Sequence, residues 1–102
     1  MRIISRRRLR EFWEEHANAE SSLKSWYQVT LSADWESFVD VKETFGSADY
    51  YNPDDGRSVV IFNIGGNNYR LVAGINYETK IVYVKEIMTH ATYDKDNWKG
   101  RL

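Results

Sequence analysis

Between Ile61 and Tyr93 the chain reads IFNIGGNNYRLVAGINYETKIVYVKEIMTHATY, and most of its reactive side chains lie in this stretch: Asn63, Asn67, Asn68, Arg70, Lys85, Glu86, His90 and Tyr93. Together they supply a fixed cation, a proton carrier and hydrogen-bond donors, which are the needs of phosphate chemistry. Arg70 falls among apolar residues, where an unpaired guanidinium is costly, and its planar fork suits a phosphate. The alternative is an internal ion pair, for which Glu86 is the favoured partner over a role for Glu86 as a base. An imidazole such as that of His90 moves protons near neutral pH, although it could equally order a strand end. Tyr93 could donate to a phosphate oxygen, stack on a base or pack in the core. Lys85 and Lys95 are further candidate phosphate contacts, and Asn63 and Asn67 are expected to brace the hairpin and its turn as well as being candidate RNA contacts. Gly65 and Gly66 shape the backbone; with no helix following, they are not a phosphate cradle. His16 lies on an apolar stripe and reads as a core-edge histidine.

These residues need a rigid frame, and the periodicity of the sequence describes one. Met1 to Ser5 favours a short edge strand. Leu9, Phe12, Trp13 and His16 recur at helical spacing, as do Leu23, Trp26, Tyr27, Thr30 and Leu31 after a break near Asn18. Trp35, Phe38, Val39 and Phe45 mark a third helical piece, with Asp34 near its first turn and Gly46 as its stop. After a turn at Pro53-Asp54-Asp55-Gly56 the period becomes that of strands: Ser58 to Ile64, Tyr69 to Ile75, and Lys80 to Met88. Strict alternation sets Tyr69, Leu71, Ala73 and Ile75 against Arg70, Val72 and Gly74. It likewise sets Ile81, Tyr83, Lys85 and Ile87 against Val82, Val84, Glu86 and Met88. The expected class is α+β, with an N-terminal strand and two to three helices on one face of an antiparallel sheet. The other face is expected to be only partly covered and to carry the site.

Composition bounds the function. The 102 residues suit one domain, residues 1–102, large enough to fold without staples. There is no cysteine, so neither a disulfide nor a cysteine zinc site is possible. The two histidines, His16 and His90, show no ligand spacing, and no metal or other cofactor is expected. No apolar run is long enough for a signal peptide or a membrane span, so a cytoplasmic protein with no membrane contact is expected. The formal net charge of −1 conceals segregation: Arg2, Arg6, Arg7, Arg8 and Arg10 open the chain, and acids dominate its middle. Arg6, Arg7 and Arg10 are candidate contacts to a polyanion. Their alternative is pairing along a helix, Arg7 with Glu11 and Arg10 with Glu14.

The strings Val60-Ile61-Phe62-Asn63-Ile64-Gly65-Gly66-Asn67, with Arg70 three residues on, and Thr89-His90-Ala91-Thr92-Tyr93-Asp94-Lys95 resemble the HigB toxins of bacterial type II toxin–antitoxin systems. The Arg-rich first helix and the stretch Trp35, Phe38, Asp40-Val41-Lys42 and Phe45 are similar as well, so the likeness spans nearly the whole chain. The resemblance implies a RelE-like fold and an endoribonuclease that cleaves mRNA on the translating ribosome. It implies as partner a helix-turn-helix antitoxin of the HigA type. Metal-free RNA cleavage uses the neighbouring 2′-hydroxyl as nucleophile and needs a base, a cation on the phosphate and an acid at the leaving 5′-oxygen. Arg70, His90, Tyr93 and Lys85 are the catalytic candidates, and Arg6, Arg7, Arg10, Asn63, Asn67 and Lys95 the RNA contacts. Two other readings use the same residues: a noncatalytic RNA-binding module, and an interaction domain whose open sheet face takes a protein partner. Trp98, in the tail, is expected to dock on the body of the protein.

Overall fold

A computed structural model describes residues 1–53 and 58–102 of the chain. Strand β1 (Arg2–Ile4) leads into helix α1 (Arg6–Glu15), and a 3-10 turn at Ala17–Ala19 links it to α2 (Glu20–Ser32). Helix α3 (Phe38–Thr44) precedes a meander of β2 (Asp49–Tyr51), β3 (Val59–Ile64), β4 (Tyr69–Asn76) and β5 (Ile81–Thr89). The chain closes with helix α4 (His90–Asp94) and a 3-10 segment, Asn97–Arg101. The α+β class stands. The five strands lie in the order β1-β5-β4-β3-β2, and the sheet is mixed rather than wholly antiparallel, because β1 runs parallel to β5. The intervening helices provide the long crossover that a parallel neighbour requires. The expected turn at Pro53 to Gly56 falls, beyond Pro53, outside the described residues.

The helical stripes bury what their spacing demands. Leu9 and Trp13 of α1 and Leu23, Trp26 and Thr30 of α2 face the sheet, although Leu31 points to solvent. Helix α3 departs from expectation. It begins at Phe38 rather than near Trp35, so Val41, three residues on, is buried and Val39 is exposed. Asp34 therefore lies outside any first turn; its carboxylate meets Lys80 Nζ at 2.9 Å. The lysine's hydrogen bond and charge hold that carboxyl below its ordinary range.

One sheet face and the helices enclose the larger core. Phe62 sits at its centre, with the rings of Trp26, Trp35 and Phe45 at 5.3, 6.2 and 5.3 Å. The opposite face carries a smaller apolar cluster of Val59, Ile61, Val72 and Met88, closed by Trp98 from the tail. Trp98 does dock on the body and is 1% exposed.

The alternation expected for β5 fails at one place. The register with β4 shifts between Val72 and Ala73: Val72 faces Glu86, and Ala73 faces Val84. Lys85 is the extra residue of this bulge, so Lys85 and Glu86 share the tail-side face, and Ile87 turns to the helix side. A period of two read from sequence cannot register an inserted residue.

Candidate active site

Arg70 reaches its position because β4 is central and its even-numbered residues face the tail side. The residue is 7% exposed. Its Nη1 donates to the carbonyls of Asn67 at 3.3 Å and Tyr69 at 3.1 Å, and its Nη2 donates to the side-chain oxygen of Asn67. Three bonds leave two of the five guanidinium N–H groups without a partner among the described residues. The charge lies 5.5 Å from the centre of the Tyr93 ring. Among the described residues no carboxylate forms a salt bridge with it. The expected Arg70–Glu86 pair is thus absent: Glu86 faces Val72, two positions along the strand, and pairs with Arg101 from the tail.

The hairpin between β3 and β4 fixes Asn67. Gly65 and Gly66 take φ of +63° and +68°, a left-handed pair that a side chain would strain. The turn returns the chain so that Asn63 stands opposite Arg70, exposed on the same face. From this turn, Asn67 braces the arginine.

His90 and Tyr93 come from α4, a helix of five residues that forms where the strand ends. Thr89 caps it, its hydroxyl oxygen accepting the N–H of Thr92 at 3.2 Å. The backbone N–H of His90 donates to the carbonyl of Asn68 at 2.9 Å, which ties the helix start to the hairpin holding Asn67. His90 Nε2 lies 3.5 Å from Asp94, one turn along, while Nδ1 is enclosed without a partner among the described residues. Tyr93, three residues after His90, shares its helix face. Burial holds the Tyr93 phenol above its ordinary range. The charge of Asp49 on β2 pushes the same way, and Arg70 and Lys99 pull it down.

The structure therefore gathers Arg70, Asn67, Tyr93 and Asn63 on one face, with His90 on the helix that carries Tyr93. It does not bring the other candidates there. The stem of Lys85 crosses Gly74, toward the far end of the sheet, in a cleft shared with Tyr83 and Leu102. Lys95 is exposed just beyond α4. Arg6, Arg7 and Arg10 belong to α1, on the opposite side of the sheet. Arg6 lies over the rings of Trp13 and Tyr27 at 5.5 and 5.6 Å. The helix pairs form as the alternative reading has them, Arg7–Glu11 at 2.7 Å and Arg10–Glu14 at 3.8 Å. Surface pairs of this kind are weak and can exchange partners. His16 stacks on Phe12 at 4.3 Å, at the edge of the helix-side core.

Two acidic groups escaped the sequence reading. Asp94 is four residues from His90 and would have been visible once α4 was recognised. Asp49 gave no local signal, because only the pairing of β2 with β3 sets it on the face of Tyr93. Among the described residues no three His, Asp or Glu side chains gather as a metal ion would need. None of the described helices is long and apolar enough to cross a membrane.

Comparison with known proteins gives this geometry a context. A family model described as HigB_toxin, RelE-like toxic component of a toxin–antitoxin system, matches residues 19–96. The chain is 32% identical over 95 residues to the mRNA interferase HigB of Escherichia coli O6:H1, covering 93% of this chain and 90% of that one. It is 29% identical over 94 residues to the mRNA interferase toxin HigB of Escherichia coli K12, covering 92% and 88%. The mRNA interferase HigB of Shigella flexneri matches over the same lengths with the same identity.

Proposed function

The chain belongs to the HigB family, the RelE-like toxic components of toxin–antitoxin systems, and from that premise we propose that it is an endoribonuclease that cleaves mRNA on the translating ribosome. The observation that carries the proposal is Arg70: a nearly buried guanidinium with two N–H groups left over and no carboxylate beside it among the described residues. An interior cation without an acid partner is expensive, and a phosphate is the anion its fork fits.

In this reading the scissile phosphate lies against Arg70 and Asn63. The 2′-hydroxyl of the preceding nucleotide loses its proton and attacks phosphorus, and the bond to the 5′-oxygen breaks as that oxygen takes up a proton. The products are a 2′,3′-cyclic phosphate and a 5′-hydroxyl end. His90 and Tyr93 are the groups for the two transfers, with Asp94 orienting the imidazole and Arg70 offsetting the charge that builds on the phosphate oxygens. Side chains of the protein suffice for these steps. Arg6, Arg7, Arg10, Lys85 and Lys95 lie outside this cluster and act as peripheral contacts to RNA phosphates. Ribosome dependence follows from the smallness of the set, because a substrate ordered by the ribosome demands less of the enzyme. The partner that restrains the activity is a helix-turn-helix antitoxin of the HigA type, and the compartment is the cytoplasm.

The test is a pulse of expression in a bacterium with transcriptome-wide mapping of new 5′-hydroxyl RNA ends. Ends in phase with the reading frame that vanish with Arg70→Ala are the expected outcome. Ends without phase would remove the ribosome from the proposal. No new ends from a folded protein would leave only RNA binding.

A further inference from the structure

Tyr93 sits on a helix of five residues, too short to hold its own geometry. What holds it comes from the tail. Trp98 stacks on the Tyr93 ring with centroids 5.3 Å apart and planes 14° from parallel. Its indole N–H donates to the Tyr93 carbonyl at 3.1 Å. The indole is itself fixed, being 1% exposed, packed on Val59, Ile61, Val72 and Met88, and met edge-on by Tyr51 at 5.7 Å. The tail around it is fastened twice more: Arg101 pairs with Glu86 on β5, and Lys99 Nζ lies 4.7 Å from the Tyr51 ring. Tyr93 in turn lies against the Arg70 guanidinium. One continuous contact chain thus runs from the tail-side core through Trp98 and Tyr93 to Arg70.

We propose that Trp98 is a positioning residue of the active site, setting the plane of the Tyr93 ring and, through it, the seat of the Arg70 guanidinium. The proposal rests on the ribonuclease reading for its kinetic consequence but not for its structural one. An indole does here what an aliphatic side chain cannot. It fills the same apolar seat while presenting a flat face to the phenol ring and a donor to the backbone beneath it.

Trp98→Leu keeps an apolar group in the seat and removes both the stack and the donor. Trp98→Phe keeps a flat, smaller ring in the seat and removes the donor. Two readouts apply, on chains shown to be folded by circular dichroism. The first is the pH titration of the Tyr93 ring followed by NMR, its signals assigned by their loss in Tyr93→Phe. The second is single-turnover cleavage of mRNA on programmed ribosomes. With leucine the Tyr93 ring signals move and its titration falls toward that of a free tyrosine, while kcat drops about 10- to 100-fold and KM stays within about threefold. With phenylalanine the titration moves less, and kcat falls about fivefold, as for one lost hydrogen bond. A folded leucine variant with wild-type titration and wild-type kcat overturns the proposal. Should the leucine chain not fold, an unchanged titration and kcat in the phenylalanine chain overturn it. If the wild-type protein cleaves nothing, the ribonuclease reading fails by itself, and the titration still decides the role of Trp98.

Discussion

The two faces of one sheet are built to different standards. On the helix side, Leu9, Leu23, Trp26, Trp35, Val41 and Phe62 are all within 2% of full burial, and three aromatic rings converge on Phe62. On the tail side, four buried residues surround one indole, and beside them the sheet carries Arg70, Asn63, Asp49 and Glu86. The first face is mainly apolar, with Thr30 inside it and His16 at its edge, and the second has little but polar residues outside its small cluster. Burying a guanidinium beside a half-buried phenol is affordable only where the main core already secures the fold. The lesson is a division of labour: helix-side packing sets stability, and the tail-side layer sets geometry.

The largest expected effect would come from breaking the helix side. Phe62→Ala removes the ring at the meeting point of Trp26, Trp35 and Phe45 and should destabilise the protein by about 3–5 kcal/mol, read by urea denaturation. A loss as small as that of a surface substitution would mean that the cluster can collapse around the gap.

Arg70→Ala probes the other face. Cleavage should fall at least about 100-fold, as when one preorganised electrostatic contact is lost. The loss of stability should be smaller than that of Phe62→Ala, about 1–3 kcal/mol, because the oxygens around Asn67 lose their donors. Parallel denaturation and single-turnover assays separate the two quantities. Arg70→Lys sharpens the point: it keeps the charge but not the fork, and most of the cleavage should still be lost.

Alkaline pH should tell the faces apart more gently. The Tyr93 phenol is held above its ordinary range, first by burial and then by Asp49. A group whose folded value is raised lends stability that is complete below its unfolded value, about 10, and lost as pH climbs through the raised folded value. Tyr77 behaves alike, burial being the main cause and Asp40 the second. Denaturation midpoints should hold to pH about 10 and then decline. Asp49→Asn should bring the Tyr93 titration down toward the ordinary range, which NMR would follow; an unmoved titration would show that the two groups are not coupled.

The smallest effect belongs to a residue on neither face. Lys80→Ala should raise the Asp34 titration toward that of a free carboxylate, with unfolding unchanged within error at neutral pH. The depressed value gives a contribution present above the ordinary carboxylate range and lost as pH falls through the folded value.

The amino-acid pattern alone determined a good deal. Helical spacing identified Leu9, Trp13, Leu23 and Trp26 as core, and alternation identified β3 and β4 and set Arg70 opposite in facing to Leu71, because these periods are properties of the local backbone. The Gly-Gly turn and the unusual setting of Arg70 were legible for the same reason: one needs left-handed φ, and the other is a charge within an apolar strand. Tertiary structure decided the rest. The parallel seat of β1, the pairing of β2 that carries Asp49, and the bulge that turns Lys85 and Glu86 to one face are choices between strands, invisible within any one of them. The orientation of Tyr93 depended on a tryptophan whose position is set by side chains from four strands. A contact between segments distant in sequence leaves no periodic trace in either of them.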